Sequence, residues 1–194
     1  MLPPLIVLLD INVYLDVGRW LGPPYSLGRL NLGLTMPDPQ PTPLMRVYRE
    51  SSRLVAICNS GNYTAGQKLQ VWSSTWIASQ TIKVAARPTS VKGLGWTGDH
   101  AYDLYKRLIY DSLVVPTNGT ILETNRFATF SGLSPDDAQV LSSAFEAKDC
   151  NVDSKIVCVT NDKDFRDSTS CQGITMLSPS GFLLAQAEAR SNLK

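Results

Sequence analysis

The carboxylates of this chain fall at places where they could act together. Asp10 closes the apolar run Leu5-Ile6-Val7-Leu8-Leu9, with Asn12 and Asp16 just beyond it. Far along the chain, Ile156-Val157-Cys158-Val159 leads into Thr160-Asn161-Asp162-Lys163-Asp164. Asp137 lies in the first turn of a helix that starts before that second run. In an open parallel sheet, ligands bind beyond the carboxyl ends of the strands. A helix running back against the strands carries its N-terminus, and Asp137 with it, to that same edge. Carboxylates gathered there repel and raise each other's pKa unless positive charge joins them. An oxygen-only set without His or Cys suits Mg²⁺ or Mn²⁺ rather than zinc. Such an ion can activate water and stabilise the charge built up in phosphodiester displacement.

Positioning these residues takes strands that alternate with helices. The runs Leu5–Leu9 and 156–159 are short and continuously apolar, as strands buried on both faces are. Helices are expected from Ile11 to Val17, from Pro43 to Cys58, and from Thr75 to about Ala86, the last capped by Ser73 or Ser74. Leu69-Gln70-Val71-Trp72 and Leu113-Val114-Val115 read as strands, and Asp99 as the cap of a helix to about Tyr110. Ser134-Pro135-Asp136-Asp137 opens the clearest helix, with a good N-cap, proline at the first position, and two acids on the positive helix end. Gly173–Leu177 is a closing strand, and a last helix follows Pro179 to about Arg190. The alternation predicts an α/β protein with a parallel sheet and helices on both faces. One domain over 1–194 is expected, with a Gly- and Pro-rich loop insertion at about 18–43.

Composition narrows the function classes. At 194 residues, 43% hydrophobic and 18% charged, the chain suits a globular protein. A net charge of +1 offers no strong overall field for nucleic acid, so any phosphate contacts must come from a local patch. No apolar run approaches the roughly 20 residues of a membrane span, and Met1-Leu2-Pro3-Pro4 lacks the basic start of a signal peptide. A cytoplasmic protein with no membrane partner is expected. Cys58, Cys150, Cys158 and Cys171 show no CxxC spacing, and His100 is the one histidine, which argues against a zinc site.

Each feature also has an ordinary structural explanation. Asp10 could shape a turn, Asp137 could simply favour the helix dipole, and Asp162 or Asp164 could cap a short helix. Gly93-Leu94-Gly95-Trp96-Thr97-Gly98 fits GxGxxG, but no convincing strand precedes it, as a dinucleotide site requires. Arg46, Arg49 and Arg53 share a helix face that suits solvent better than phosphate. Trp20, placed in the long loop, is the tryptophan best able to stack on an unpaired base.

Taken in order, four segments resemble the PIN-domain family of VapC-like ribonucleases. Leu8-Leu9-Asp10-Ile11-Asn12-Val13-Tyr14-Leu15-Asp16 resembles its opening motif, and Ser134 to Ala144 its acidic helix start. Val157 to Phe165 resembles its last acidic motif, and Ile174 to Leu183 its closing strand, proline and helix. The resemblance implies a three-layer α/β/α sandwich around a central, mostly parallel sheet. It implies an Mg²⁺- or Mn²⁺-dependent endoribonuclease with catalytic, metal-holding Asp10, Asp137 and Asp162, and Asp164 as a possible fourth ligand. Asn12 and Thr160 would be supporting polar groups. Many relatives are toxins of toxin–antitoxin pairs and homodimers, so RNA as substrate, an antitoxin protein and a second copy are the implied partners. The chain departs from the family at Gln80, which stands where an acidic residue is usual. The alternative is therefore a weak or inactive PIN-like module that binds RNA or a protein partner.

Overall fold

The computed structural model describes residues 2–21, 42–105, 114–117, 133–171 and 173–192. Along the chain these form β1 (Leu5–Leu9), α1 (Ile11–Leu21), α2 (Pro43–Ser60), β2 (Asn62–Thr64), β3 (Gln67–Ser74), α3 (Thr75–Ala85) and α4 (Gly98–Tyr105). They continue with β4 (Val114–Thr117), α5 (Pro135–Cys150), β5 (Ile156–Val159), α6 (Lys163–Arg166), β6 (Thr175–Leu177) and α7 (Pro179–Ser191). The expected α/β class is observed, with a mostly parallel sheet.

The parallel strands lie in the order β4-β3-β1-β5-β6. β2 adds an antiparallel hairpin to the start of β3. β1 is central, pairing Leu8 with Trp72 on one side and with Cys158 on the other. All five of its residues are buried, which explains the unbroken apolar run. From β1 the chain adds β3 and β4 on one side, then returns to add β5 and β6 on the other. Strand order thus reverses between β1 and β5. At such a switch point the connections diverge and leave a crevice outside the carboxyl ends. α5 packs across β1, β3, β4 and β5, while α1 packs on α2 and α3.

Three helices start from the same short device. Thr42-Pro43, Ser134-Pro135 and Ser178-Pro179 place a hydroxyl at the N-cap and proline just inside. The hydroxyls accept from the N–H groups of Met45, Asp137 and Gly181, while proline presets the helical φ. Gly61 ends α2 at φ 65, the left-handed conformation glycine adopts freely.

Several boundaries differ from the sequence expectation. α1 runs on through Gly18 to Leu21, because Asp16 pairs with Arg19 one turn along and Leu21 is buried in the core. Trp20 consequently sits on a helix packed against the core rather than in a loop. The rest of the expected insertion, 22–41, lies outside the described residues, as does the end of the helix expected to reach Tyr110. α4 is capped by Thr97, whose Oγ1 accepts from the His100 N–H, and Asp99 lies inside its first turn. The hairpin strand β2 was not expected. Among the described residues no helix is long and apolar enough to cross a membrane.

Leu8, fully buried in the middle of β1, should be a costly position to truncate. Leu8→Ala is expected to lose about 2–5 kcal/mol in urea denaturation, whereas Leu184→Ala, on the exposed side of α7, should change stability by less than about 0.5 kcal/mol.

Candidate functional site

Asp10 follows directly on β1 at the reversal of strand order. Its backbone N–H still donates to the Val159 carbonyl at 3.0 Å, so the residue is clamped to β5. Its side chain is 6% exposed. Oδ1 accepts from the Ile11 N–H at 2.6 Å, and Oδ2 accepts from Asn12 Nδ2 and Thr160 Oγ1, each at 2.6 Å. Asn12 Nδ2 also lies 3.0 Å from Thr160 Oγ1. The parallel register explains this meeting: Leu8 is opposite Cys158, so Asp10 and Thr160, two residues on, point to one face.

The other aspartates come from helix starts. Asp137 is in the first turn of α5, and Ser134 Oγ donates to its Oδ2 at 2.7 Å. Asp162 is the N-cap of α6, its Oδ1 accepting from the Phe165 N–H at 3.1 Å. Asp137 and Asp162 line a cleft of about 320 Å³ together with Asp164 and Ser134. Asp10 does not line it.

Burial pushes the Asp10 carboxyl up to about 7; the Thr160 and Ile11 hydrogen bonds oppose this, and the charges of Asp137 and Asp162 add to it. Asp137 is raised too, first by burial and then, against its Ser134 bond, by Asp162 and Asp136. The three carboxylates named from the sequence therefore do act on one another. Asn12 and Thr160 join them through hydrogen bonds, and Asp164 shares the cleft. Gln80 is half-buried on α3, does not line the cleft, and has no hydrogen bond to these residues among those described.

Asn161, Asp16 and Arg166 complete the setting; of these only Asp16 was singled out from the sequence. Asn161 donates its backbone N–H to Asn12 Oδ1 at 3.1 Å, fixing the amide that holds Asp10. Its Nδ2 donates to Asp16 Oδ2 at 2.6 Å. Asp16, which the opening motif includes, is thereby committed to Asn161 and Arg19 rather than to the cleft. Arg166 Nη1 donates to the Thr160 carbonyl at 2.6 Å. The Asn161 bonds to Asn12 and Asp16 join positions 149 and 145 residues apart in the chain, which no local pattern reveals.

The donor chemistry fits a hard divalent cation, since the groups are oxygens that need positive charge nearby. Among the described residues no three His, Cys, Asp or Glu side chains are grouped to hold an ion. Mg²⁺ ordinarily keeps several waters and takes one or two protein carboxylates, so a close cage of three is not required. No family model and no curated protein matches the chain.

The raised Asp10 carboxyl makes stability depend on pH. The folded state holds its proton up to about 7 and the unfolded state only to about 3.8. Between these values the native state binds more protons, so stability falls as pH rises through the window and levels off above about 7. The full span corresponds to roughly 4 kcal/mol. Metal-free protein should lose stability between pH 4 and 7 in urea melts, Asp10→Asn should flatten that slope, and millimolar Mn²⁺ should restore stability above pH 7.

Proposed function

We propose that the protein is a PIN-like, Mg²⁺- or Mn²⁺-dependent endoribonuclease with a three-layer α/β/α architecture. The observation that carries the reading is Asp10: a buried carboxylate at the switch point of the sheet, pushed up to about 7 first by burial, with smaller contributions from Asp137 and Asp162 on separate elements. Asp137 and Asp162 also serve their helix starts, but the mutual repulsion of the three acids would be relieved by a cation joining them.

In this reading Asp10, Asp137 and Asp162 hold the ion, and Asp164 is available at the cleft. The ion, when bound, supplies an activated water and a counter-charge for phosphodiester displacement. The protein's own groups prepare the ligands. Thr160 and Asn12 hold Oδ2 of Asp10, the Ile11 N–H holds Oδ1, and Ser134 fixes Asp137. The Asp162 carboxylate is oriented by the Phe165 N–H. With Asp10 titrating near 7, cation binding competes with its proton, and activity should rise as pH passes through neutrality.

A second reading, a PIN-like module that binds RNA or a protein without cutting, is favoured by Gln80, which stands where the resemblance expects an acid. A toxin role, with an antitoxin partner and a homodimer, follows from the resemblance alone.

The test is cleavage of a labelled, unstructured RNA with Mn²⁺. Wild-type protein is expected to cut it and EDTA to stop it. Asp10→Asn or Asp162→Asn should abolish cleavage, and Thr160→Val should lower it by about 10–100-fold, as loss of a ligand-orienting group does. No metal-dependent cleavage that Asp10→Asn removes sinks the nuclease reading in favour of the binding module.

A further inference from the structure

The segment with GxGxxG spacing follows a helix and a short 3-10 turn, so it is not a dinucleotide fingerprint. It does build one wall of a second concavity, about 460 Å³ in volume. Arg19 of α1 and Tyr48 of α2 form the opposite side, with Thr89, Lys92 and Leu94 facing them. Among the described residues no carboxylate lines this groove.

Two cations are set into it by unusual means. Arg19 Nη1 donates to Asp16 at 2.6 Å, Nη2 donates to the Lys92 carbonyl at 3.1 Å, and the guanidinium sits 5.7 Å from the Tyr48 ring centroid. A guanidinium has five N–H donors in a rigid fork, so donors remain for an anion. Lys92 has φ 63, a left-handed backbone that a non-glycine residue seldom adopts. The next residue must be glycine, because a Cβ on Gly93 would meet the Arg87 carbonyl oxygen at 2.0 Å. This turn presents the Lys92 carbonyl to Arg19 and leaves the Lys92 side chain exposed at the groove. Lys92 is the left-handed C-cap of the turn Thr89–Val91, its N–H donating to the Thr89 carbonyl at 3.2 Å.

The groove is tied to the acidic residues by a continuous chain of hydrogen bonds: Arg19 to Asp16, Asp16 to Asn161, Asn161 to Asn12, and Asn12 to Asp10. Asp16, the carboxylate nearest the groove in this chain, is already paired. For a protein of net charge +1, phosphate attraction must come from a local patch; here that is the exposed Lys92 together with the Arg19 N–H donors that Asp16 and the Lys92 carbonyl leave over.

We infer that this groove binds a backbone phosphate and the adjoining nucleoside of single-stranded RNA whose scissile bond lies at the acidic cleft. Arg19 and Lys92 meet the phosphate, Thr89 adds a hydroxyl, and Tyr48 and Leu94 give an apolar side for sugar and base. The inference rests on the ribonuclease reading and extends it to how the substrate is held.

The test is binding of a short fluorescein-labelled oligouridylate, followed by anisotropy in EDTA at several salt concentrations so that cleavage plays no part. Arg19 is left intact, because its loss strands the buried Asp16 unpaired. Lys92→Asn keeps a residue tolerant of the left-handed backbone. It should weaken binding about three- to fivefold and lower the salt slope by about 0.7, the effect of one phosphate contact on a single strand. Lys92→Glu should weaken it more than about tenfold. Both variants should keep the wild-type circular dichroism spectrum. Unchanged affinity and slope in both, or no RNA binding by the wild type, overturns the groove assignment. Lys92-dependent binding without any Mn²⁺-dependent cleavage instead upholds the groove and overturns the nuclease reading.

Discussion

The carboxyl edge of the sheet is organised around one carboxylate that water barely reaches. Asp10 is placed there by β1, the central strand, and clamped by a backbone bond to Val159. Taking a charged group out of water is costly unless hydrogen bonds or an opposite charge compensate. Here Ile11, Asn12 and Thr160 supply hydrogen bonds, yet the carboxyl is still raised to about 7. The neighbouring acids increase the cost rather than relieve it. The fold therefore favours a proton or a cation on Asp10 at the point where the strand order reverses.

Two sets of residues respond to that preference differently. Asp137 and Asp162 stand on helix N-termini, where the dipole favours a negative group and the caps hold each carboxylate in place. Each thus has a structural role as well as a place in the cleft. Asp16 is satisfied internally by Arg19 and Asn161. That pairing links the acidic residues to the cationic groove, so the two surfaces share one rigid hydrogen-bonded support.

Much of this was legible in the sequence because it is local. The run Leu5–Leu9 ending in Asp10 marks a buried strand, and Ser134-Pro135-Asp136-Asp137 marks a helix start. Asp162 was readable as a cap for the same reason. What was not legible depends on partners distant in the chain. Asn62-Tyr63-Thr64 shows no strand pattern of its own, yet it pairs with β3, and the Tyr63 ring packs edge-on against Phe182 while its carbonyl accepts from Gln186. Gly18 looks like the start of a loop, but the buried Leu21 and the Asp16–Arg19 pair keep the helix going. Gln80 could be placed on a helix after a strand, but not relative to the cleft, because the turn of α3 that faces the core is decided by Ile77, Ala78, Thr81 and Ala85.

The central claim is that the buried Asp10 and its acidic neighbours form one cation site. Isothermal calorimetry with Mn²⁺ at a pH above 7 tests it most directly, comparing wild-type protein with the Asp10→Asn, Asp162→Asn double variant. The account predicts one Mn²⁺ site in the wild type, with proton release, that the double variant lacks. A wild type that takes up no Mn²⁺ at millimolar concentration, or a double variant that binds equally well, would contradict it.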